Sequence, residues 1–388
     1  MVRRAQLLVL FLALGGVTVF AQQQSSVQIK PYGYIKLDAA YDTSRTSYGD
    51  WTFWTNPSTS VGGGEESLSF GARETRLGLN ITVPTDGRKF QLTGKIEGDF
   101  DEEASTENKY VPRLRLAYFD IAWGAGWSLR FGQDWDTYIS FHPTQIDAGT
   151  LGQSGHLWNR HPQIRLTKET KFGENTSVTL KIAVQHGRNS ANYDGSGDNQ
   201  PDENAAARPN VQGGLVLKTK LLSDKQSVFS IAGAYGREKV NDNAAVAYPG
   251  VYRSWLVVGD VQLPLHNRFT VQGSLWTGEN LDNYFGGIGQ GVNVALGTEV
   301  KSYGAWGQIV YTPSKLFQLG LGYGLDDPDD TELSGDARTF NDRIFTNFFY
   351  NLTSSAQIGV EYSYMRTDYA VTRDMHNNRI HLGARYNF

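Results

Sequence analysis

Hydrophobic alternation with a period of two recurs from about residue 30 to the C-terminus, and helical periodicity is almost absent. In 89–101, Phe90, Leu92, Gly94, Ile96, Gly98 and Phe100 share one face. Gln91, Thr93, Lys95, Glu97, Asp99 and Asp101 share the other. The last segment repeats this, with Ile380, Leu382, Ala384, Tyr386 and Phe388 against Arg379, His381, Gly383, Arg385 and Asn387. Successive side chains of a strand point to opposite faces, so each segment separates an apolar surface from a polar one. The alternation predicts strands near 30–41, 72–83, 89–101, 112–122, 126–134, 162–170, 176–187, 209–221, 226–237, 252–263, 267–278, 301–312, 315–326, 341–352, 355–367 and 378–388. They number about sixteen, each of roughly 9–13 residues, the length that crosses a bilayer at a tilt. In 112–122 the alternation slips near Phe119-Asp120-Ile121, which predicts a bulge there.

The connections alternate short and long. Pro84–Arg88, Gly124–Gly126, Lys171–Asn175, Leu222–Lys225, Pro264–Asn267, Thr312–Ser314 and Thr353-Ser354 are short. Those near 42–71, 102–111, 135–161, 188–208, 238–251, 279–300, 327–340 and 368–377 are long. An up-and-down barrel with short turns at one end and long loops at the other has this rhythm. In hydrocarbon every backbone N–H and C=O needs an internal partner, so a spanning sheet must close. The predicted fold is an all-β transmembrane antiparallel barrel. Aromatics near strand ends, among them Tyr32, Tyr34, Tyr41, Trp123, Trp127, Tyr252, Trp255, Phe348, Phe349, Tyr350, Tyr362, Tyr364, Tyr386 and Phe388, fit interfacial girdles.

The apolar run Leu7–Phe20 follows Arg3 and Arg4 and ends at Ala21. It reads as a secretory signal peptide over 1–21, leaving 22–388 as the barrel domain. The net charge of −4 becomes more negative without those arginines, so no basic surplus points to nucleic acid. Cysteine is absent, so stability after export rests on the closed sheet rather than on disulfides.

The long connection 135–161 carries Trp135, Tyr138, Ile139, Phe141, Ile146, Leu151, Leu157 and Trp158. That is too apolar for a free loop. It is predicted to fold onto the wall built by the rest of the chain.

The signal peptide, the strand–loop rhythm and the ending Arg385-Tyr386-Asn387-Phe388 resemble Gram-negative outer-membrane porins of the sixteen-stranded general type. Phe131-Gly132-Gln133-Asp134-Trp135 resembles the strand end that leads into the third loop of those porins, and Trp158–Arg165 is similar to the DcaP-like porins. The resemblance implies passive diffusion of small anions such as dicarboxylates. It also implies a homotrimer in outer-membrane lipid, insertion by the barrel assembly machinery through the strand ending at Phe388, and an inward third loop. A helical segment common at the start of DcaP-like chains is missing, since only Gln22–Gln28 precedes the first strand.

The polar faces carry the chemistry. Arg76, Lys95, Arg113, Arg115, Arg130, Arg165 and Lys181 fall on consecutive strands and would form a cationic ladder. The planar fork of arginine suits carboxylates. Asp134, Asp136 and Asp147 on the loop would face that ladder across a constriction. The other reading pairs the ladder with Glu74, Glu97, Asp99 and the loop acids as structural bridges. Lys36, Asp38, Arg343, Arg379 and Arg385 are inward candidates on the far wall. Tyr138, Phe141 and Trp158 either stack on a solute or wedge the loop, and wedging is the simpler reading. Trp51, Phe53 and Trp54 either meet a neighbouring subunit or cover the pore mouth. His142, His156 and His161 lack metal-ligand spacing, and no cofactor is implied. Asp326–Asp330 reads as a solvated loop tip, with Ca²⁺ binding the alternative. A barrel enzyme would need a Ser–His–acid arrangement near His381, and a structural anchor would need a plugged lumen. Both remain alternatives to a porin.

Overall fold

The computed structural model describes residues 26–48, 51–60, 62–101, 110–186, 208–240, 248 and 250–388. The predicted signal peptide and most of Gln22–Gln28 lie outside them. The wall consists of β1 (Gln28–Asp42), β2 (Ser67–Gly71), β3 (Arg76–Val83), β4 (Phe90–Asp99), β5 (Arg113–Trp123), β6 (Trp127–Trp135), β7 (Arg160–Phe172), β8 (Thr176–Gln185) and β9 (Asn210–Thr219). It continues with β10 (Ser227–Val240), β11 (Gly250–His266), β12 (Phe269–Glu279), β13 (Lys301–Tyr311), β14 (Phe317–Pro328), β15 (Arg338–Asn351), β16 (Ala356–Tyr369) and β17 (Met375–Asn387).

From β3 onward each strand pairs antiparallel with the next in sequence, and β1 closes the ring on β17 in the register Tyr34↔Asn387 to Asp42↔Arg379. On its other edge β1 pairs first with β3 and then with β2. These two segments are one wall strand interrupted at 72–75, so seventeen segments make a sixteen-stranded barrel. The wall strand therefore begins at Ser67, five residues before the start at residue 72 that the alternation predicts. At the interruption the Thr75 hydroxyl accepts from the Lys36 N–H at 3.2 Å, standing in for a backbone acceptor.

The barrel is inside out relative to a water-soluble one. Ile35, Leu37, Leu68, Phe70, Leu275, Leu321 and Leu382 are exposed on the outer face, while Asp42, Asn341, Arg343, Glu361 and Arg379 are buried inside. Outward apolar and inward polar residues fit a hydrocarbon surround with every ladder bond satisfied. Trp123, Phe348, Tyr362, Tyr386 and Phe388 are exposed, the outward facing that a girdle requires. Tyr32, Tyr34, Tyr252 and Phe349 instead turn inward.

The bulge lies earlier than the alternation predicted. Ala117–Trp123 pair without a break against β4, and the register shifts at Glu97/Gly98, leaving Arg115 as the extra residue. Arg113 and Arg115 both face inward, and the parity then reverses, so that Leu116 is also buried while Phe119 faces out. The slip visible near Phe119 is the downstream consequence of this inserted arginine.

Candidate functional site: a loop-narrowed lumen

The third long connection crosses the lumen from wall to wall. Trp276 Nε1 donates to Gly155 O at 2.7 Å, the Thr144 N–H to Gln308 Oε1 at 2.8 Å, and the Ile146 N–H to Glu361 at 2.9 Å. Lys36 Nζ, from β1, donates to Ile146 O at 2.8 Å. These anchors span β12, β13, β16 and β1. The loop is therefore held by polar groups of the wall that would otherwise be hydrated.

Its apolar side chains account for the remaining adhesion. Tyr138 and Leu157 pack with Ala232, Ala234, Leu256, Val258, Trp276, Leu281 and Tyr284. Leu151 packs with Trp306 and Phe345, with Phe141 against them. The wall here is apolar on its inner face as well as its outer one. Burying each such side chain contributes about 1.5–3 kcal/mol.

Two other long connections also fold inward. Trp51–Thr55 forms a short hairpin with Thr46–Tyr48. Phe53 is buried, and its carbonyl accepts from Asn341 Nδ2 at 2.7 Å. The connection after β12 brings Phe285 face to face with Trp158 at 4.2 Å. Trp51, Phe53 and Trp54 thus belong to the lumen lining.

Two cavities result. The one toward the long loops has a volume of ≈ 410 Å³ and is lined by Trp51, Trp54, Arg73, Arg113, Arg160 and Asp282, among others. The second, ≈ 320 Å³, lies between the loop and the strands β1, β3 and β5, with Lys36, Glu74, Arg76, Arg115, Trp135 and Arg385 in its lining. Trp51, Asp101 and Trp158 line both.

The cationic ladder is heavily paired. Asp99 accepts from Arg113 at 3.0 and 2.8 Å and from Arg115 at 2.8 Å. Arg115 also donates to Glu97 at 3.0 Å, and Arg76 lies 3.6 Å from the same carboxylate. Arg130 forks onto Asp120 at 2.7 and 2.6 Å and shares Asp134 with Arg165, which donates at 2.7 Å. Lys95 sits over the Tyr32 ring at 4.7 Å. Lys181 is half-buried and has no ion pair among the described residues.

The loop acids do not confront this ladder across open water. Asp134 joins the wall. Asp136 is buried, accepting from Tyr138 Oη at 2.9 Å and bonding His161 Nδ1 at 2.9 Å. Asp147 is sealed against Arg343 at 2.8 Å. Burial alone would raise the Asp147 carboxyl, but Arg343 and Arg379 outweigh it and hold it well below the usual carboxylate range. The transverse field predicted from the sequence is thus replaced by local pairs, because charges in a narrowed lumen need partners once dehydrated.

Tyr138 and Phe141 are wedges, as their packing shows. His142 and His156 meet edge to face at 5.1 Å within the loop. His381 bonds Asp38 at 2.9 Å. Asp326, read as part of a loop tip, is buried and accepts from the Ile288 N–H at 3.2 Å. Arg160, Trp51, Trp135, Glu74 and Arg73 were missing from the sequence-derived site. They lie at strand ends or in loops, where alternation no longer reports facing.

No protein-family model matches the chain, and no curated protein sequence matches it. Solved structures share the fold. The outer membrane channel DcaP of Acinetobacter baumannii is 21% identical, with a TM-score of 0.73 over 96% of this chain and 100% of that one. An anion-selective porin from Comamonas acidovorans is 10% identical, with a TM-score of 0.59 over 94% and 100%. The trimer form of OmpT, an outer membrane protein of Vibrio cholerae, is 13% identical, with a TM-score of 0.57 over 94% and 100%. These similarities establish a porin-type barrel.

Proposed function

We propose that this protein is an outer-membrane porin for passive diffusion of small hydrophilic solutes, with a preference for anions such as dicarboxylates. The observation that carries the reading is the pair of adjoining cavities inside a closed barrel, narrowed by an inward loop and lined by Lys36, Arg73, Arg76, Arg113, Arg115, Arg160 and Arg385, which outnumber the lining acids Glu74, Asp99, Asp101, Asp147 and Asp282. Charged linings at a constriction are the usual selectivity device of channels.

In this reading Arg76 and Arg115 line the narrow cavity and Arg113 the outer one. Arg130, Arg165 and Asp134 form a braced cluster beside them, and Lys95 and Lys181 add positive potential lower on the wall. The solved anion-selective porin and DcaP channel share the fold and support the assignment. The trimer form of the Vibrio OmpT supports a homotrimer. Residues 1–21 act as a cleaved signal peptide, and the strand ending at Phe388 serves recognition by the assembly machinery.

Reconstitution of the mature protein in planar bilayers tests the proposal. Stepwise conductance with a reversal potential biased to anions is the expected result. Silent bilayers, or a cation-biased potential, would overturn it.

A further inference from the structure

The arginines around the two cavities are not equivalent. Arg113 and Arg115 share Asp99, and Arg115 also holds Glu97. Arg76 lies beside Glu97 and over the Tyr34 ring. Arg160 has none of these acidic partners. Among the described residues no carboxylate or carbonyl accepts from its guanidinium, and its Nη1 is buried without an acceptor. What holds its head is aromatic: the guanidinium lies 4.9 Å from the Trp135 ring centre and 5.9 Å from that of Trp158. Stacking of this kind positions the cation but uses none of its N–H donors.

Its position matters as much as its pairing. Arg160 is the first residue of β7, where the inward loop rejoins the wall. It lines the outer cavity, Trp135 lines the narrow one, and Trp158 lines both. A solute passing from one cavity to the other meets this cluster. The described acids of the outer cavity compete weakly. Asp101 lies 3.6 Å from Arg113. Burial pushes the Asp282 carboxyl up to about 6, and it makes no ion pair with Arg160 among the described residues. A partly dehydrated guanidinium without an acceptor is unfavourable until a ligand supplies one. A carboxylate can do so through two parallel N–H···O bonds.

We propose that Arg160 is the specificity-determining residue of the pore. It takes a solute carboxylate at the step between the cavities, with Trp135 and Trp158 as positioning residues, while the carboxylate-paired arginines brace the wall. This rests on the anion-porin reading above. It deepens that reading by naming one cation rather than the ladder.

The test compares the parent protein with Arg160→Gln and Arg160→Lys in planar bilayers. Reversal potential in a KCl gradient and block of the chloride current by added succinate are both recorded. The parent is expected to be anion-selective and to show saturable block. Arg160→Gln is expected to lower the anion-to-cation permeability ratio by about threefold and to abolish the block. Arg160→Lys is expected to keep most of the ratio but weaken the block about tenfold, because an ammonium lacks the planar fork. An anion-selective parent whose ratio and block survive Arg160→Gln overturns the role of Arg160 and leaves the porin reading standing. Full block in Arg160→Lys overturns the bidentate contact. A parent without anion preference overturns the underlying reading itself.

Discussion

Ile146, near the middle of the inward loop, rests on the bare backbone of Gly383 in β17. A Cβ on Gly383 would lie 2.8 Å from Ile146 Cγ2, and one on its cross-strand partner Gly359 would lie 2.9 Å from Ile146 Cδ1. Two paired glycines thus form a socket for one side chain, and the Lys36 and Glu361 bonds on either side of it complete a latch.

Filling the socket should release the loop. Gly383→Val places two methyl groups where Ile146 sits, and overpacking of this kind costs about 1–3 kcal/mol. The expected result is a folded barrel with larger single-channel conductance. Ile146→Ala should act in the same direction, weakening docking by about 2–4 kcal/mol. Unchanged conductance in both variants would show that the loop is held without the latch.

Arg343 is the buried charge hub of the opposite wall, touching Asp147 at 2.8 Å and Glu361 at 3.5 Å. Arg343→Met leaves two sealed carboxylates without their cation, a loss of about 3–5 kcal/mol. Thermal unfolding, followed by the heat-induced gel shift of the barrel, should occur at lower temperature. Adding Asp147→Asn should recover part of the loss, because one of the two stranded charges is then removed.

Asp99 offsets part of the positive charge of Arg113 and Arg115. Asp99→Asn should therefore raise the anion-to-cation permeability ratio. A unit charge roughly 6 Å from the solute path in water changes its energy by about 0.7 kcal/mol, or about threefold in permeability. The reversal potential in a salt gradient measures this directly, and a shift toward cations would exclude the proposed polarity.

Acid should loosen the loop through His156. This imidazole is 4% exposed and bonds Thr150 O at 2.9 Å, with His142 packed against it. Burial pushes it down to about 4, so the docked loop favours the neutral ring. The released loop would titrate near 6.5. Docking is then at full strength above about 6.5 and weakens as pH falls from there to about 4. Channel conductance across that range should change in the parent, and the change should be smaller in His156→Gln.

The alternation of Phe90 to Asp101 and of Arg379 to Phe388 already determined a closed barrel, because period-two amphipathicity has one stable use in hydrocarbon. The lengths of the connections determined which end carries the loops, and the apolar content of 135–161 determined that this loop must dock. The docking wall was also legible in principle. Ala232 and Ala234 on β10, and Leu256 and Val258 on β11, leave those strands apolar on both faces, which a water-facing inner surface would not tolerate.

Pairing was decided only by the tertiary structure. Arg115 is the extra residue of a bulge, and a one-residue insertion reverses the facing of everything after it. Asp99 sits between two arginines because β4 and β5 are in that register. Asp136 reaches His161 because the loop returns beside its own origin. Arg160 lies between two tryptophans, and its Nη1 is buried without an acceptor among the described residues. Alternation specifies which face a side chain takes, whereas its partner depends on strands and loops distant in sequence. In a narrowed lumen that partner decides whether a charge braces the wall or meets the solute.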